Sequence, residues 1–162
     1  MNIKYDDIID QREKLRSALE KRHKALISDA AGFLKMLTIS LDVPSYTPKD
    51  PSGKRLEWVN TFAGNDELVY PSEQIVCPPH SMGLEPDFSI KFYIGLLVDE
   101  NYEDGYYVLL PVKMRYENGL LLINYGEVEF SVPHDVGNDR FRQVAKLYKG
   151  YFMEAMTDHR LN

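Results

Sequence analysis

Between Tyr5 and Leu41 the chain contains no proline and a single glycine, Gly32, while its apolar residues recur at helical intervals. One long helix follows, and it constrains everything else. At 1.5 Å per residue it would run roughly 50–55 Å, whereas a compact domain of this chain length has a radius of gyration near ~15 Å. One end must therefore overhang, unless the helix breaks near Asp29 or Gly32. The rows Ile8, Leu19, Ala30, Leu41 and Leu15, Leu26, Leu37 repeat every eleven residues, which keeps the apolar stripe on one side of an almost straight helix. Ile27 to Leu41 is dense in apolar groups and reads as core. Residues 5–24 carry a narrow stripe of Ile8, Leu15 and Leu19 among charges. This half reads as a projecting arm whose stripe is an interface, for a second copy of the chain or for another protein's helix.

Prolines and glycines then punctuate residues 43–86, with Pro44, Pro48, Pro51 and Gly53 in one cluster and Pro71, Pro78, Pro79, Gly83 and Pro86 in another. An irregular segment is expected, with Leu56 to Phe62 equally consistent with helix or strand and Ile75 to Cys77 at best a short edge strand. From Asp87 the period becomes two. Phe88, Ile90, Phe92, Ile94 and Leu96 form one strand face; after the polar turn Asp99 to Gly105, Tyr106, Val108, Leu110, Val112, Met114 and Tyr116 form another. Asn118-Gly119 tolerates positive φ at both positions and predicts a two-residue type I′ hairpin, with Tyr116 facing Leu121, Met114 facing Ile123 and Val112 facing Tyr125. Beyond Tyr125 the alternation slips, which a β-bulge at Gly126 would absorb. Pro111 has no amide hydrogen, so its strand should kink or face solvent there. A final helix is expected over residues 139–156, N-capped by Asn138. The fold class is α+β: a single domain over 1–162 with a long N-terminal helix, an antiparallel meander of at least three strands over 87–132, and a C-terminal helix, both helices covering one sheet face.

The formal net charge is -6, with the surplus of acid concentrated in residues 51–100, so a nucleic-acid partner is not expected. Residues 12–24 dissent, with six bases against two acids, which reads as a solvated helix face. The lone Cys77 cannot form an intramolecular disulfide and suits a reducing compartment. No apolar run reaches the ~20 residues that span a bilayer, and Met1 to Asp10 is too acidic for a secretory leader. A cytoplasmic location is the expectation, with no membrane contact.

The common nucleotide-binding, zinc-protease and hydrolase motifs are absent. Cys77 and His80 have a C-x-x-H spacing that His134 and Asp135 could complete, but a structural zinc site normally draws on a second such pair. No metal and no cofactor are expected. Cys77 with His80 or His134 as base is the one arrangement that could make a nucleophile, and a half-buried structural thiol explains it more simply. His23 and His159 read as surface groups, and the pairs Asp6-Asp7, Asp99-Glu100 and Glu103-Asp104 as solvated charge. Eleven tyrosines stand against one tryptophan. Tyr93, Tyr102, Tyr106, Tyr107, Tyr116 and Tyr125 fall on the sheet, where core packing ranks ahead of a protein-binding face. The functional expectation is a small non-catalytic protein acting through protein contacts as an adaptor, inhibitor or chaperone-like module, dimeric through its arm. The alternative is a small-molecule binder or enzyme with a pocket between the sheet and residues 71–86, using Cys77, His80 and His134.

Overall fold

The computed structural model describes residues 1–63, 75–134 and 137–157. The first helix, α1 (Tyr5–Leu41), runs without a break. Gly32 does not interrupt it because its missing side chain is used for packing: a Cβ there would lie 2.7 Å from Asn138 Oδ1 and 2.9 Å from the Phe141 ring. Among the described residues five antiparallel strands follow in simple meander order: β1 (Val59–Ala63), β2 (Ile90–Asp99), β3 (Tyr106–Glu117), β4 (Leu120–Tyr125) and β5 (Val128–Val132). The last helix among the described residues is α2 (Arg142–Ala155), and the architecture is α+β as the periodicities predict.

The Asn118-Gly119 turn has positive φ at both residues, 52° and 78°, and pairs Glu117 with Leu120. This is the type I′ geometry, and Tyr116 meets Leu121 and Met114 meets Ile123 as expected. The ladder stops at Lys113 with Asn124, one step short of the expected pairing of Val112 with Tyr125. The parity of such a hairpin turns the amide positions of Glu117, Lys113 and Pro111 toward β4, and at Pro111 that ladder has ended. The exposed proline therefore leaves no partner unsatisfied.

Three local expectations are corrected. Gly126 is no bulge: with φ 58° it opens a two-residue turn that pairs Tyr125 with Val128, the type II′ solution, and reversing the chain restores the alternation. The bulge in this sheet lies between Leu97 and Asp99 instead. Phe88 is not a strand residue, because the Asp87 carboxylate accepts from Ser89 N and Oγ while Phe88 N donates to Glu85 O. That turn holds Phe88 at φ 64° and leaves it exposed. Asn138 does not cap α2; it begins a 3-10 turn, Asn138–Phe141, that brings Phe141 under α1.

One sheet face carries the main core. Ile90, Phe92 and Ile94 of β2, Leu110, Val112 and Met114 of β3, and Leu121 and Ile123 of β4 pack with Leu26, Ala30, Phe33 and Leu37 of α1 and Val144, Tyr148 and Phe152 of α2. Phe33 meets Tyr148 edge-on at 5.2 Å between ring centres, and the Tyr148 hydroxyl donates to Pro111 O at 2.9 Å. The opposite face is partly covered as well, by a second cluster of Leu56, Phe62, Leu97 and Tyr107.

Candidate functional site

The arm is built by continuing a buried face past the end of what buries it. Leu26 is the first fully buried residue of α1; upstream, Ile8 is 58% and Leu15 56% exposed, and Leu19 is half-buried. At 100° per residue, Ile8, Leu15 and Leu19 all lie within about 20° of Leu26 around the axis. The side of the helix that meets the core is therefore the side the arm presents. Lys4 N donates to Asp7 Oδ2 at 2.8 Å, closing the first turn, and Arg16 bridges Glu20 at 3.3 Å and Glu13 at 3.9 Å. These exposed pairs add little individually. The helix persists mainly because its C-terminal half is nucleated by packing, after which each added residue gains a hydrogen bond.

Where the arm leaves the body it is clamped. His23 Nε2 donates to the Met82 carbonyl at 2.6 Å. One turn and a half further on, the buried Asp29 carboxylate receives the Tyr116 hydroxyl from β3 and the Arg140 guanidinium from the 3-10 turn. Burial raises the Tyr116 pKa and lowers that of Arg140. Such a buried pair costs desolvation, and it ties the covered half of α1 to β3 and to the 3-10 turn.

Of the alternative pocket residues, His134 is not brought to Cys77 and His80. Cys77 N donates to Thr61 O at 2.9 Å, which hangs it on the β1 edge of the sheet. His80 is exposed in a 3-10 turn, Pro79–Ser81. His134 is exposed just after β5, the opposite edge, so four strand spacings, about 19 Å, separate it from β1. Asp135 lies outside the described residues. Burial pushes the Cys77 thiol up, away from the thiolate a nucleophile needs. Among the described residues no three His, Cys, Asp or Glu side chains converge as a metal site.

A cleft does exist, on the sheet face away from the helices. It encloses about 560 Å³ and is lined by Leu56, Phe62, Tyr107 and Leu109 together with Lys54 and Asp104. Lys54 Nζ bridges Asp104 at 2.7 Å. Behind them Asp50 accepts from Ser52 N and Oγ, Lys54 N and Asp104 N, which lowers its pKa to about 2. The Tyr107 hydroxyl donates to Glu57 O at 2.6 Å, and burial lifts its pKa to about 12. The cleft thus offers apolar walls and fixed charge, while its tyrosine is held far from acid-base work at neutral pH. Its signal in the sequence is the set of apolar side chains Leu97, Tyr107 and Leu109 at the alternate strand positions, on the face opposite Leu96 and Val108.

The sheet tyrosines mostly pack. Tyr107 is buried, Tyr116 is tied to Asp29, and Tyr125 stacks on Tyr151 at 4.1 Å. Tyr102 and Tyr106 remain exposed and touch each other. No helix among the described residues is long and apolar enough to cross a membrane. Compared with known proteins, the chain matches no family model, no curated protein and no solved structure.

Proposed function

We propose that this is a non-catalytic protein of the cytoplasm that works through protein contacts, as an adaptor, inhibitor or chaperone-like module, and that it dimerises through the helical arm. The observation that carries the reading is the unbroken α1 with Ile8 and Leu15 exposed on the same side that is core further along. Leaving such side chains in water forgoes burial worth roughly 1.5–3 kcal/mol each, which a facing helix recovers. Light scattering on the wild type and on the Leu15→Asp, Leu19→Asp double variant tests it. A dimer that becomes a monomer with an unchanged body melting temperature supports the reading. A wild type that stays monomeric at high concentration, or a dimer indifferent to the substitutions, overturns it.

A second reading is favoured by the cleft, whose volume lies in the range of small-ligand sites. It makes the body a small-molecule binder, with Lys54 and Arg55 selecting an anionic group. Titration with small carboxylates and phosphates, followed by amide shifts at Leu56, Phe62 and Tyr107, decides it; shifts scattered over the whole surface count against it.

A further inference from the structure

We infer that the free edge of β5 and the α2 face beside it form a docking groove for an extended segment of another protein, which pairs antiparallel with β5 and brings an apolar side chain opposite Phe130 and a basic one opposite Val128. The groove lies on the body and stands or falls independently of the arm. The two edges of the sheet differ. Along β1, Ala63 N donates to Ile75 O at 2.8 Å and Cys77 N to Thr61 O at 2.9 Å, so that edge is already paired. Along β5, the two-residue turn makes Tyr125 and Val128 a hydrogen-bonded pair, and alternation then turns the amides and carbonyls of Val128, Phe130 and Val132 toward β4. Those of Glu129 and Ser131 point outward and have no partner among the described residues. Edges are ordinarily blunted by charge or proline. Here Arg115 draws the Glu129 carboxylate back over the sheet at 2.7 Å, and Pro133, with no amide hydrogen, ends the edge after five residues. Two N–H and two C=O groups at strand spacing match an extended backbone.

Beside this edge α2 leaves apolar surface uncovered. A pocket of about 220 Å³ lies between Phe130 and Val132 of β5 and Val144 and Leu147 of α2, and a more open one continues from Leu147 past Gly150 to Glu154. Leu147 is 40% exposed. Gly150 serves no packing within the chain: glycine inside a helix costs stability, yet a Cβ built there meets nothing within 4 Å. A partner approaching that side of the helix accounts for it. The charge is polarised along the groove. At the Val132 end Arg140 is spent on Asp29, while at the Val128 end Glu127 and Glu154 have no ion-pair partner among the described residues; Lys146 lies on the outer rim. Burial, and after it the Glu154 carboxylate, raise the Tyr125 pKa, which sets Glu154 beside the residue that pairs with Val128. An antiparallel strand read from its N-terminus thus brings apolar side chains to Val132 and Phe130, then a basic one to Val128 and these two carboxylates.

The probe is the capped pentapeptide Val-Thr-Leu-Thr-Lys, titrated into the full-length chain by calorimetry; no binding at millimolar concentration overturns the proposal. Its threonines fall opposite Ser131 and Glu129 and its leucine opposite Phe130. N-methylation of both threonine amides should weaken binding about tenfold or more, and N-methylation of the leucine amide, which faces away from β5, by less than about threefold. Losses that do not follow this alternation overturn strand addition. The reversed peptide Lys-Thr-Leu-Thr-Val should bind several-fold more weakly at low salt; equal binding overturns the placing of the basic residue. Gly150→Ala should raise the melting temperature of the free chain and weaken the peptide several-fold, and unchanged affinity overturns the part given to α2. The Ser131 amide should exchange hydrogen rapidly in the free chain and slowly with peptide bound; protection without peptide means that a second copy holds the edge, and overturns the proposal. Affinity should be the same in the Leu15→Asp, Leu19→Asp variant, so loss of the arm reading leaves this one standing.

Discussion

From Leu26 to Leu37 the stripe of α1 is closed off from water by α2, the 3-10 turn and the sheet, whereas from Tyr5 to Leu15 the same stripe is more than half exposed. Leucine stands on both sides of the boundary, but the covered part adds Ala30, Phe33 and Met36 where the arm has Arg12 and Arg22 beside Ile8, Leu15 and Leu19. The neighbour differs as well. The sheet, α2 and the 3-10 turn cover α1 only from Leu26 onward, so the helix outruns its cover. The two halves also differ in what holds them helical: the buried half is held by packing, the arm by its continuity with that half and by surface ion pairs.

The contrast is sharpest under substitution. Phe33→Ala removes a fully buried ring that contacts Phe141 and Tyr148, and should cost about 3–5 kcal/mol in urea unfolding; a loss under 1 kcal/mol would mean the core half is no better packed than the arm. Asp29→Ala strands the Arg140 guanidinium and the Tyr116 hydroxyl and should cost about 3 kcal/mol, with Asp29→Asn recovering part of it. Gly119→Val places a β-branched residue at φ 78° and should cost about 1–3 kcal/mol, at the hairpin rather than in α1. Gly32→Ala sets a helix-propensity gain of up to ~1 kcal/mol against the Asn138 and Phe141 contacts, and should come out destabilising by about 1 kcal/mol because the buried ring has nowhere to retreat. On the arm, Leu15→Ala should leave body stability within about 0.5 kcal/mol, read at a protein concentration where the chain is monomeric.

Acid separates body from arm in another way. The Asp50 carboxylate, held at about 2 by four donors, has a folded pKa below its unfolded value of about 4. Its stabilising effect is therefore complete above that unfolded value and fades as pH falls toward 2. Fluorescence of Trp58, whose indole donates to Tyr46 O in the same region, should report loosening over that window while arm helicity persists. A response centred at pH 4 or above would mean that Asp50 is not held by those donors.

Much of this was legible locally. The length of α1, the Asn118-Gly119 turn and its near register, and the overhang follow from periodicity, positive-φ tolerance and rise per residue. Gly126 misled because a phase slip looks alike whether a bulge or a turn produces it. β1 was undecided because five residues carry too little periodicity to separate strand from helix; pairing with β2 decided it. Asp29 left a trace, a lone carboxylate on an apolar stripe, but its partners lie 87 and 111 residues away in sequence.

By itself the sequence determined the two helices and the strands from Ile90 to Val132, where the chain turns at Asn118-Gly119, and which side of α1 is apolar, because these depend on neighbours within a few residues. Only the tertiary structure decided that Gly32 is a point of close approach rather than a break, that Cys77 and His134 stand at opposite sheet edges, that a cleft opens beside Tyr107, and that the covered length of α1 begins at Leu26. Each of these depends on which distant segment arrives opposite a given residue, and periodicity along one element says what a face prefers without saying what meets it.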